Sequence, residues 1–220
     1  VVEVGPAVRR WSVGDRVMGI VPGGAMATHL ITHERETLPV PADVDLTTAA
    51  AIPETFLTAF DALFLQAQLK MGEQVLIHAV GSGIGTSALQ LAVAANADVI
   101  GTSRTASKLT RCKELGLVRP IHVTDGTFAE GLDVNVLIDV IGASYAGENL
   151  RALAPQGRMV TIGLLGGVQA DIPLNIFLQK RITWMGSVLR SRTLEEKATL
   201  MNAFEAQVLH CRDTLAIDND

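Results

Sequence analysis

Three glycines at alternate positions stand where a strand-like run of residues changes into a helix-like one. The stretch VLIHAVGSGIGTSALQLAVAA, residues 75–95, contains Gly81, Gly83 and Gly85. Glycines at such a turn let the backbone approach a phosphate, and the free N–H groups at a helix start attract an anion. The usual dinucleotide fingerprint G-x-G-x-x-G is not met, because Thr86 stands at its third glycine. The motif alone leaves two interpretations, a pyrophosphate site and a tight strand-to-helix turn.

A hydroxyl and two cations follow the next strand-like run, DVIGTSRTASKL. Sites for NAD place a carboxylate about 20 residues beyond the glycines, to accept a hydrogen bond from the ribose 2′-OH. This chain has no carboxylate there and offers Ser103, Arg104 and Lys108 instead. These side chains are the donors that a ribose 2′-phosphate requires, so the sequence predicts NADPH as the cofactor. The alternative is that the two cations are solvated surface charges.

The elements that must position these residues alternate between strand and helix patterns from residue 74 onward. Such alternation predicts an α/β fold with a doubly wound, six-stranded parallel sheet, in the strand order 3-2-1-4-5-6. The predicted strands are residues 74–80, 98–103, 120–123, 134–141, 158–163 and 182–189. The predicted intervening helices are residues 83–95, 105–115, 145–153 and 173–180.

The first 50 residues have a different pattern, with two strands, Gly/Pro punctuation and no helix. Pro53 is expected to mark a break before a helix of residues 54–67. Thr193 and Glu196 form a capping-box pair that predicts a helix through about residue 208. We therefore predict a partial all-β substrate domain (1–53), a nucleotide-binding domain (54–192) and a return segment (193–220). The chain opens without methionine and already in strand-like alternation. We therefore expect that the amino-terminal end of a larger protein is missing from it.

The composition excludes several classes of protein. Hydrophobic residues make up 48% and charged residues 19%, which is typical of a globular chain, and a net charge of −5 does not favour binding to nucleic acid. The apolar runs are interrupted before the roughly 18 residues of a spanning helix, so we expect no membrane insertion. The two cysteines, Cys112 and Cys211, favour a reducing, cytoplasmic location.

The remaining reactive residue types form no recognisable catalytic or metal cluster. His78 lies inside a predicted buried strand, where we expect a hydrogen-bonded core histidine. Asp139 lies in an apolar run and is expected to cap a strand end, without acting as a base. No G-x-S-x-G nucleophile motif occurs, and the histidines and cysteines lack metal-site spacing.

An ordered series of motifs covers nearly the whole chain and resembles a known family. The motifs are GDRVMGI, AAAIPETFLTAFDAL, VLIHAVGSGIGTSALQLA, VLIDVIGASY, PQGRMVTIGLLGG and SVLRSR. The series is similar to the zinc-independent quinone oxidoreductases of the medium-chain dehydrogenase/reductase superfamily, in the tumour-suppressor-inducible branch. The resemblance implies a Rossmann domain with part of a GroES-like substrate domain, and a homodimer through the strand of residues 182–189.

The resemblance also implies which residues hold the cofactor. It assigns the pyrophosphate to Ser82, Gly83, Ile84 and Gly85, and the 2′-phosphate to Ser103, Arg104 and Lys108. It assigns the adenosine ribose to Val140, Ile141 and Gly142, the nicotinamide to Gly163 and Leu164, and the nicotinamide ribose to Thr58. Zinc alcohol dehydrogenases have a metal-binding cysteine where this chain has Glu54, so the resemblance implies no zinc.

The resemblance implies hydride transfer from NADPH to a quinone. An NADPH-dependent reductase of enones or enals shares every one of these residues, and a non-catalytic cofactor-binding protein is a further alternative. The related enzymes use an amino-terminal lobe of the substrate pocket that this chain lacks. We therefore expect the 220-residue chain to bind NADPH and to have impaired turnover.

Overall fold

The computed structural model describes residues 1–209 of the chain. These residues form two compact units. One comprises residues 1–58 together with the described residues from 188 onward, and the other comprises residues 59–187.

A six-stranded parallel sheet forms the centre of the unit of residues 59–187. Its strands are β3 (Gln74–Ile77), β4 (Asp98–Ser103), β5 (Arg119–His122), β6 (Val134–Asp139), β7 (Leu153–Thr161) and β8 (Thr183–Gly186). They lie in the order β5-β4-β3-β6-β7-β8 and all pair in parallel. Numbered from the first strand of this sheet, the order is 3-2-1-4-5-6, so the predicted α/β doubly wound topology is confirmed.

Four helices connect the strands of this sheet. They are α2 (Gly83–Ala94), α3 (Ala106–Glu114), α4 (Ala146–Ala152) and α5 (Leu174–Lys180). Strands and helices bury a shared apolar cluster in which Leu137, Leu150, Leu153 and Met159 are fully buried. Because the strands are apolar on both faces, the continuous apolar runs in the sequence identified them correctly.

The first strand of the sheet is shorter than predicted. β3 ends at Ile77, whereas the prediction extended it to Val80. Ala79 adopts a left-handed backbone with φ of +48°, which turns the chain out of the strand direction. The backbone N–H groups of His78 and Val80 still donate to the neighbouring strands, at Ile138 and Thr102. The turn is therefore anchored to the sheet on both sides.

A helix begins earlier than the sequence pattern predicted. α1 (Leu46–Phe60) contains Pro53 in its interior and continues as a π-helical segment, Asp61–Gln66. The expectations of a helix starting after Pro53, and of no helix before residue 50, are therefore wrong. The Asp45 carboxylate starts the helix by accepting hydrogen bonds from the N–H groups of Thr47 and Thr48. This cap stabilises a first turn upstream of the proline.

The continuous helix Leu46–Gln66 is long and apolar enough to cross a membrane by length and composition. Burial within the protein covers 56% of its apolar window, as in the core helices of globular proteins. The sequence-based reason for excluding a spanning helix, that every apolar run is too short, does not hold for this segment.

The other unit contains a two-stranded antiparallel sheet and a carboxyl-terminal helix. β1 (Val17–Gly19) pairs with β2 (Thr37–Pro39), and within residues 1–209 these strands pair only with each other. α6 (Leu194–Phe204) begins with the predicted capping box at Thr193 and continues as a π-helical segment, Glu205–Leu209. Residues 210–220 of the predicted return segment lie outside the described residues.

Ion pairs join α6 to the amino-terminal segment within this unit. Lys197 contacts Glu36 at 3.1 Å, and both side chains are largely buried, at 12% and 13% exposure. Arg10 pairs with Glu205. Ion pairs of this kind hold the irregular amino-terminal segment against a helix. This segment therefore has a defined structure although little of it is β-strand.

Candidate functional site

The glycine turn presents unpaired backbone donors at the start of α2. Ser82 caps the helix, since its Oγ accepts a hydrogen bond from the N–H of Gly85 at 3.1 Å. The N–H groups of Gly83 and Ile84 belong to the first helical turn and have no acceptor within the helix. The positive end of the helix dipole lies at the same place. The turn therefore has the geometry of an anion site.

Close packing explains why one of these glycines must lack a side chain. A Cβ on Gly85 would lie 2.6 Å from the carbonyl oxygen of Val80 and would also overlap the carbonyl oxygen of Ala79. Both oxygens belong to the backbone of the turn, which cannot rotate away as a side chain can. Gly85 thus lets α2 pack directly against the end of β3.

A cleft of about 240 Å³ opens beside this turn, at the carboxyl ends of the parallel strands. This edge of an open α/β sheet is where ligands bind in such folds. The residues that line the cleft are Ala79, Gly81, Ser82, Thr102, Ser103, Arg104, Thr105, Lys108, Ile141, Ser144, Tyr145, Leu165 and Gly166. The lining includes two cations and no carboxylate, so the cleft favours a negatively charged ligand.

The two cations predicted from the sequence both line this cleft. Arg104 and Lys108 are exposed, and within residues 1–209 neither side chain forms an ion pair. The carbonyl of Arg104 accepts a hydrogen bond from His122 Nε2 at 3.1 Å, which holds the backbone and leaves the guanidinium free. Both cations are therefore available to an anion.

Ser103 also lines the cleft, but its hydroxyl has local partners. It donates to the carbonyl of Thr105 at 3.2 Å and accepts from the N–H of Thr105 at 3.0 Å. This side chain therefore organises the turn between β4 and α3, and its proton is engaged in the turn.

The ends of β6 and β7 are joined on the other side of the cleft. Asp139 is fully buried, and its Oδ1 accepts from the N–H groups of Ile141 and Gly142, at 2.8 and 3.0 Å. Gly142 has φ of +79°, a region that favours glycine. The N–H of Gly166 donates to the carbonyl of Ile141 at 2.6 Å, which places the loop after β7 against this turn. As predicted, Asp139 has a structural role at a strand end.

The structure brings most of the predicted cofactor residues to one edge of the sheet. Ser82, Ser103, Arg104, Lys108 and Ile141 line the cleft itself. The others at this edge do not form its wall: Gly83, Ile84, Gly85, Val140, Gly142, Gly163 and Leu164. Thr58 lies on α1 in the other unit, where its hydroxyl donates to the carbonyl of Glu54 at 2.6 Å. Its predicted role near the nicotinamide ribose remains a prediction.

Sequence reasoning missed several residues of the cleft wall. Tyr145, Ser144, Leu165 and Gly166 come from the segments that follow β6 and β7, which the motif GASY and the run LLGG mark in the sequence. Those segments were assigned by their glycines, and glycine at a strand end gives no information about the side chains beside it.

His78 is a core residue, as predicted. It is fully buried, with Nδ1 2.8 Å from Thr102 Oγ1 and Nε2 2.7 Å from Asn149 Oδ1. Burial lowers the pKa of His78 below its ordinary value, against the opposing effects of Asn149 and the Asp139 charge. A neutral ring that donates from Nε2 and accepts at Nδ1 satisfies both contacts.

His78 should make the stability of the fold depend on pH below about 6.5, the ordinary pKa of histidine. In that range the unfolded chain takes up a proton at this ring and the folded chain does not. The free energy of unfolding should therefore fall with decreasing pH, by up to about 1.4 kcal/mol per pH unit for this proton. Above that range both states are neutral and the contribution vanishes.

Urea unfolding between about pH 5 and pH 7.5 measures this dependence. His78→Gln should flatten the slope, whereas His29→Gln, at an exposed position, should leave it unchanged. An identical slope in His78→Gln and the parent chain would contradict this prediction, because it would show that folding leaves the pKa of His78 unchanged.

The family model described as "Zinc-binding dehydrogenase" matches residues 83–205, more than half of the chain. Quinone oxidoreductase-like protein 2 of Bos taurus is 32% identical over 194 residues, covering 84% of this chain and 56% of the relative. The chain belongs to the quinone oxidoreductase-like family of the medium-chain dehydrogenase/reductase superfamily. The resemblance predicted from the sequence is therefore confirmed at the level of this family.

Solved structures of two kinds share this fold. A quinone oxidoreductase from Pseudomonas syringae has a TM-score of 0.82 at 29% identity, covering 99% of this chain and 70% of that one. CurK enoyl reductase has a TM-score of 0.80 at 27% identity, covering 95% and 64%. This chain thus spans between about half and two thirds of the length of several proteins it matches.

The family description includes zinc-binding members. Within residues 1–209, the structure contains no group of three or more His, Cys, Asp or Glu side chains that could hold a metal ion.

Proposed function

We propose that this chain is the cofactor-binding part of an NADPH-dependent oxidoreductase that reduces a quinone. The observation that carries the proposal is the cleft beside the glycine turn, lined by Arg104 and Lys108 without any carboxylate. Membership of the family supports a nicotinamide cofactor, and the two free cations support the phosphorylated form of it.

The residues at the cleft fit a dinucleotide. The N–H groups of Gly83 and Ile84 would hold the pyrophosphate, because the helix start offers donors and a favourable dipole. Arg104 and Lys108 would hold the 2′-phosphate by charge-assisted hydrogen bonds. Ile141 would form part of the ribose wall. Loaded in this way, the nicotinamide supplies a hydride, and the protein's contribution is to orient it and keep out water.

The quinone is favoured over other acceptors by the name of the relatives, quinone oxidoreductase-like proteins and a quinone oxidoreductase. A reductase of enones or enals is the second candidate, favoured by the likeness to an enoyl reductase structure. NADPH oxidation measured with a quinone and with an enone separates the two, since each candidate predicts turnover of its own acceptor only. We expect slow turnover from the 220-residue chain in either case.

Three further properties belong to the proposal. The reaction is proposed to be zinc-independent, because Glu54 stands where zinc alcohol dehydrogenases have a metal-binding cysteine. A homodimer is proposed through β8, which lies at an edge of the six-stranded sheet. A reducing, cytoplasmic location is proposed from the cysteine usage. One of the two cysteines, Cys112, is a buried free thiol, and burial raises its pKa.

Removing either cation should abolish most of the preference for NADPH. A hydrogen bond to a charged group contributes about 1.5–3 kcal/mol, so we expect Arg104→Ala and Lys108→Ala each to weaken NADPH binding by about tenfold or more. NADH has no 2′-phosphate, so its affinity should hardly change. Calorimetric titration of the parent chain and both variants with the two nucleotides measures these affinities.

Charge-matched controls are available on the same helix. Arg111 and Lys113 are exposed residues of α3 that do not line the cleft. Arg111→Ala and Lys113→Ala change the net charge by the same amount and should leave both affinities unchanged. A parent chain that prefers NADH, or variants that lose NADPH and NADH binding equally, would refute the proposed cofactor choice.

A further inference from the structure

Tyr145 forms a fixed part of the wall of the cofactor cleft. It follows β6 and is held from behind by two other rings, His78 and Phe128, with centroid distances of 4.9 Å to each. His78 and Phe128 also contact each other edge-on at 4.8 Å. Edge-on and tilted contacts of this kind are the arrangements that aromatic rings prefer, and they stabilise the ring in this position. Tyr145 therefore presents a preformed surface to the cleft.

The Tyr145 hydroxyl is free to bind a ligand. Among the described residues it has no hydrogen-bond partner, although a partly buried tyrosine usually finds one. Burial raises the pKa of Tyr145, and the Arg104 charge acts in the opposite direction. The hydroxyl is consequently protonated at neutral pH, and it lies close enough to Arg104 to be influenced by that charge.

Two other hydroxyls of the cleft, those of Ser103 and Thr102, are already engaged within the protein. The proton of Ser103 is engaged with the carbonyl of Thr105. The hydroxyl of Thr102 lies 2.8 Å from His78 Nδ1 and is engaged there. A phosphate bound by Arg104 and Lys108 would have oxygens left for a neutral donor. The Tyr145 hydroxyl is such a donor, since it lines the same cleft and its ring is packed against two others.

We propose that Tyr145 is a specificity residue of the cleft, whose hydroxyl donates a hydrogen bond to the ribose 2′-phosphate of NADPH. The inference rests on the proposed function, because it names a further contact for the same cofactor. The ring supplies a rigid platform, and the hydroxyl adds discrimination between the phosphorylated and the unphosphorylated nucleotide. Tyr145 is a binding residue in this account and takes no part in proton transfer.

Tyr145→Phe tests the inference by removing only the oxygen. The phenylalanine ring keeps the contacts to His78 and Phe128, so the thermal unfolding midpoint should stay the same. We expect NADPH affinity to fall about tenfold, the usual effect of losing a hydrogen bond to a charged group, and NADH affinity to stay within about twofold. An unchanged ratio of the two affinities would overturn the inference.

The single tyrosine of the chain provides a second readout. With ¹³C-labelled tyrosine, the one Cζ resonance reports on Tyr145 alone and should move on addition of NADPH much further than on addition of NADH. Equal movements would indicate a wall residue without phosphate contact and would contradict the inference.

The outcomes distinguish this inference from the proposed function. If the parent chain binds NADPH preferentially and Tyr145→Phe keeps that preference, only the role of Tyr145 is refuted. If the parent chain binds neither nucleotide or prefers NADH, the proposed cofactor fails first, and the role of Tyr145 fails with it.

Discussion

Gly85→Ala is expected to destabilise the unit of residues 59–187 and to abolish nucleotide binding. Alanine is the better helix former by about 1 kcal/mol, so helix propensity alone would predict stabilisation. The added Cβ would, however, lie 2.6 Å from the Val80 carbonyl oxygen. Overlap with backbone moves the helix itself, and overpacking of this kind costs about 1–3 kcal/mol. The overlap outweighs the propensity, and the displaced helix start no longer presents its donors.

Gly147→Ala is the matched control. Gly147 lies in α4, and the nearest atom to an added Cβ is Arg151 Nη1 at 3.7 Å, an ordinary contact. This variant should be stabilised by up to about 1 kcal/mol and should bind NADPH like the parent chain. Urea unfolding and nucleotide titration of the two variants are compared directly. Stabilisation by both substitutions would mean that α2 does not pack against the turn as described.

Asp139→Ala is expected to destabilise the chain by about 2–4 kcal/mol, since it leaves buried donors without an acceptor. Asp139 Oδ1 receives the two backbone N–H groups of Ile141 and Gly142, and Oδ2 receives the Thr161 hydroxyl at 3.2 Å. Thr161 Oγ1 in turn accepts from Trp184 Nε1 at 2.8 Å. The carboxylate thus connects the ends of β6, β7 and β8.

Asp139→Asn separates the loss of the acceptor from the loss of shape. An asparagine oxygen can still accept from the two backbone N–H groups, while its amide requires Thr161 to act as an acceptor. We therefore expect a smaller destabilisation, about 1 kcal/mol, with the turn at Gly142 retained. Thermal unfolding and NADPH titration measure both effects. Equal stability of the alanine variant and the parent chain would refute the structural role of this carboxylate.

The sheet was predictable because its signal is local and repeated. Runs such as VNVLID are mostly apolar without strict alternation, and helix-patterned segments separate them, which is typical of a parallel sheet covered on both faces. Six strands and their order followed from that pattern together with the handedness of crossovers. The end of β3 did not, because Ala79 gives no sequence sign of a left-handed backbone.

The start of α1 was missed because a general rule was applied to an exception. Proline inside a helix removes a hydrogen bond and usually ends the helix, so Pro53 was taken as a boundary. The structure instead caps the helix at Asp45, eight residues earlier in the chain, and continues past Phe60 as a π-helical segment. The sequence DLTT contains this capping signal, since an Asp precedes two threonines whose N–H groups it accepts.

The sequence predicted the two cations of the candidate site, but it did not predict several of the residues that form the wall of the cleft. Arg104 and Lys108 could be identified because residues about 20 positions after the glycines lie at the end of the next strand in such folds. Tyr145 could not, since its position depends on rings at residues 78 and 128 that are distant in sequence. Contacts between distant segments are set by tertiary packing, which a single sequence does not encode locally.

Mapping of amide chemical shifts during titration with NADPH tests the central claim most directly. The claim is that the cleft beside the glycine turn is the dinucleotide site. We predict that the largest changes occur at residues 82–85 and 103–108, with smaller ones at residues 141–145. Chemical shift changes confined to other parts of the chain would contradict the claim. The absence of any change at a large excess of NADPH would contradict it as well.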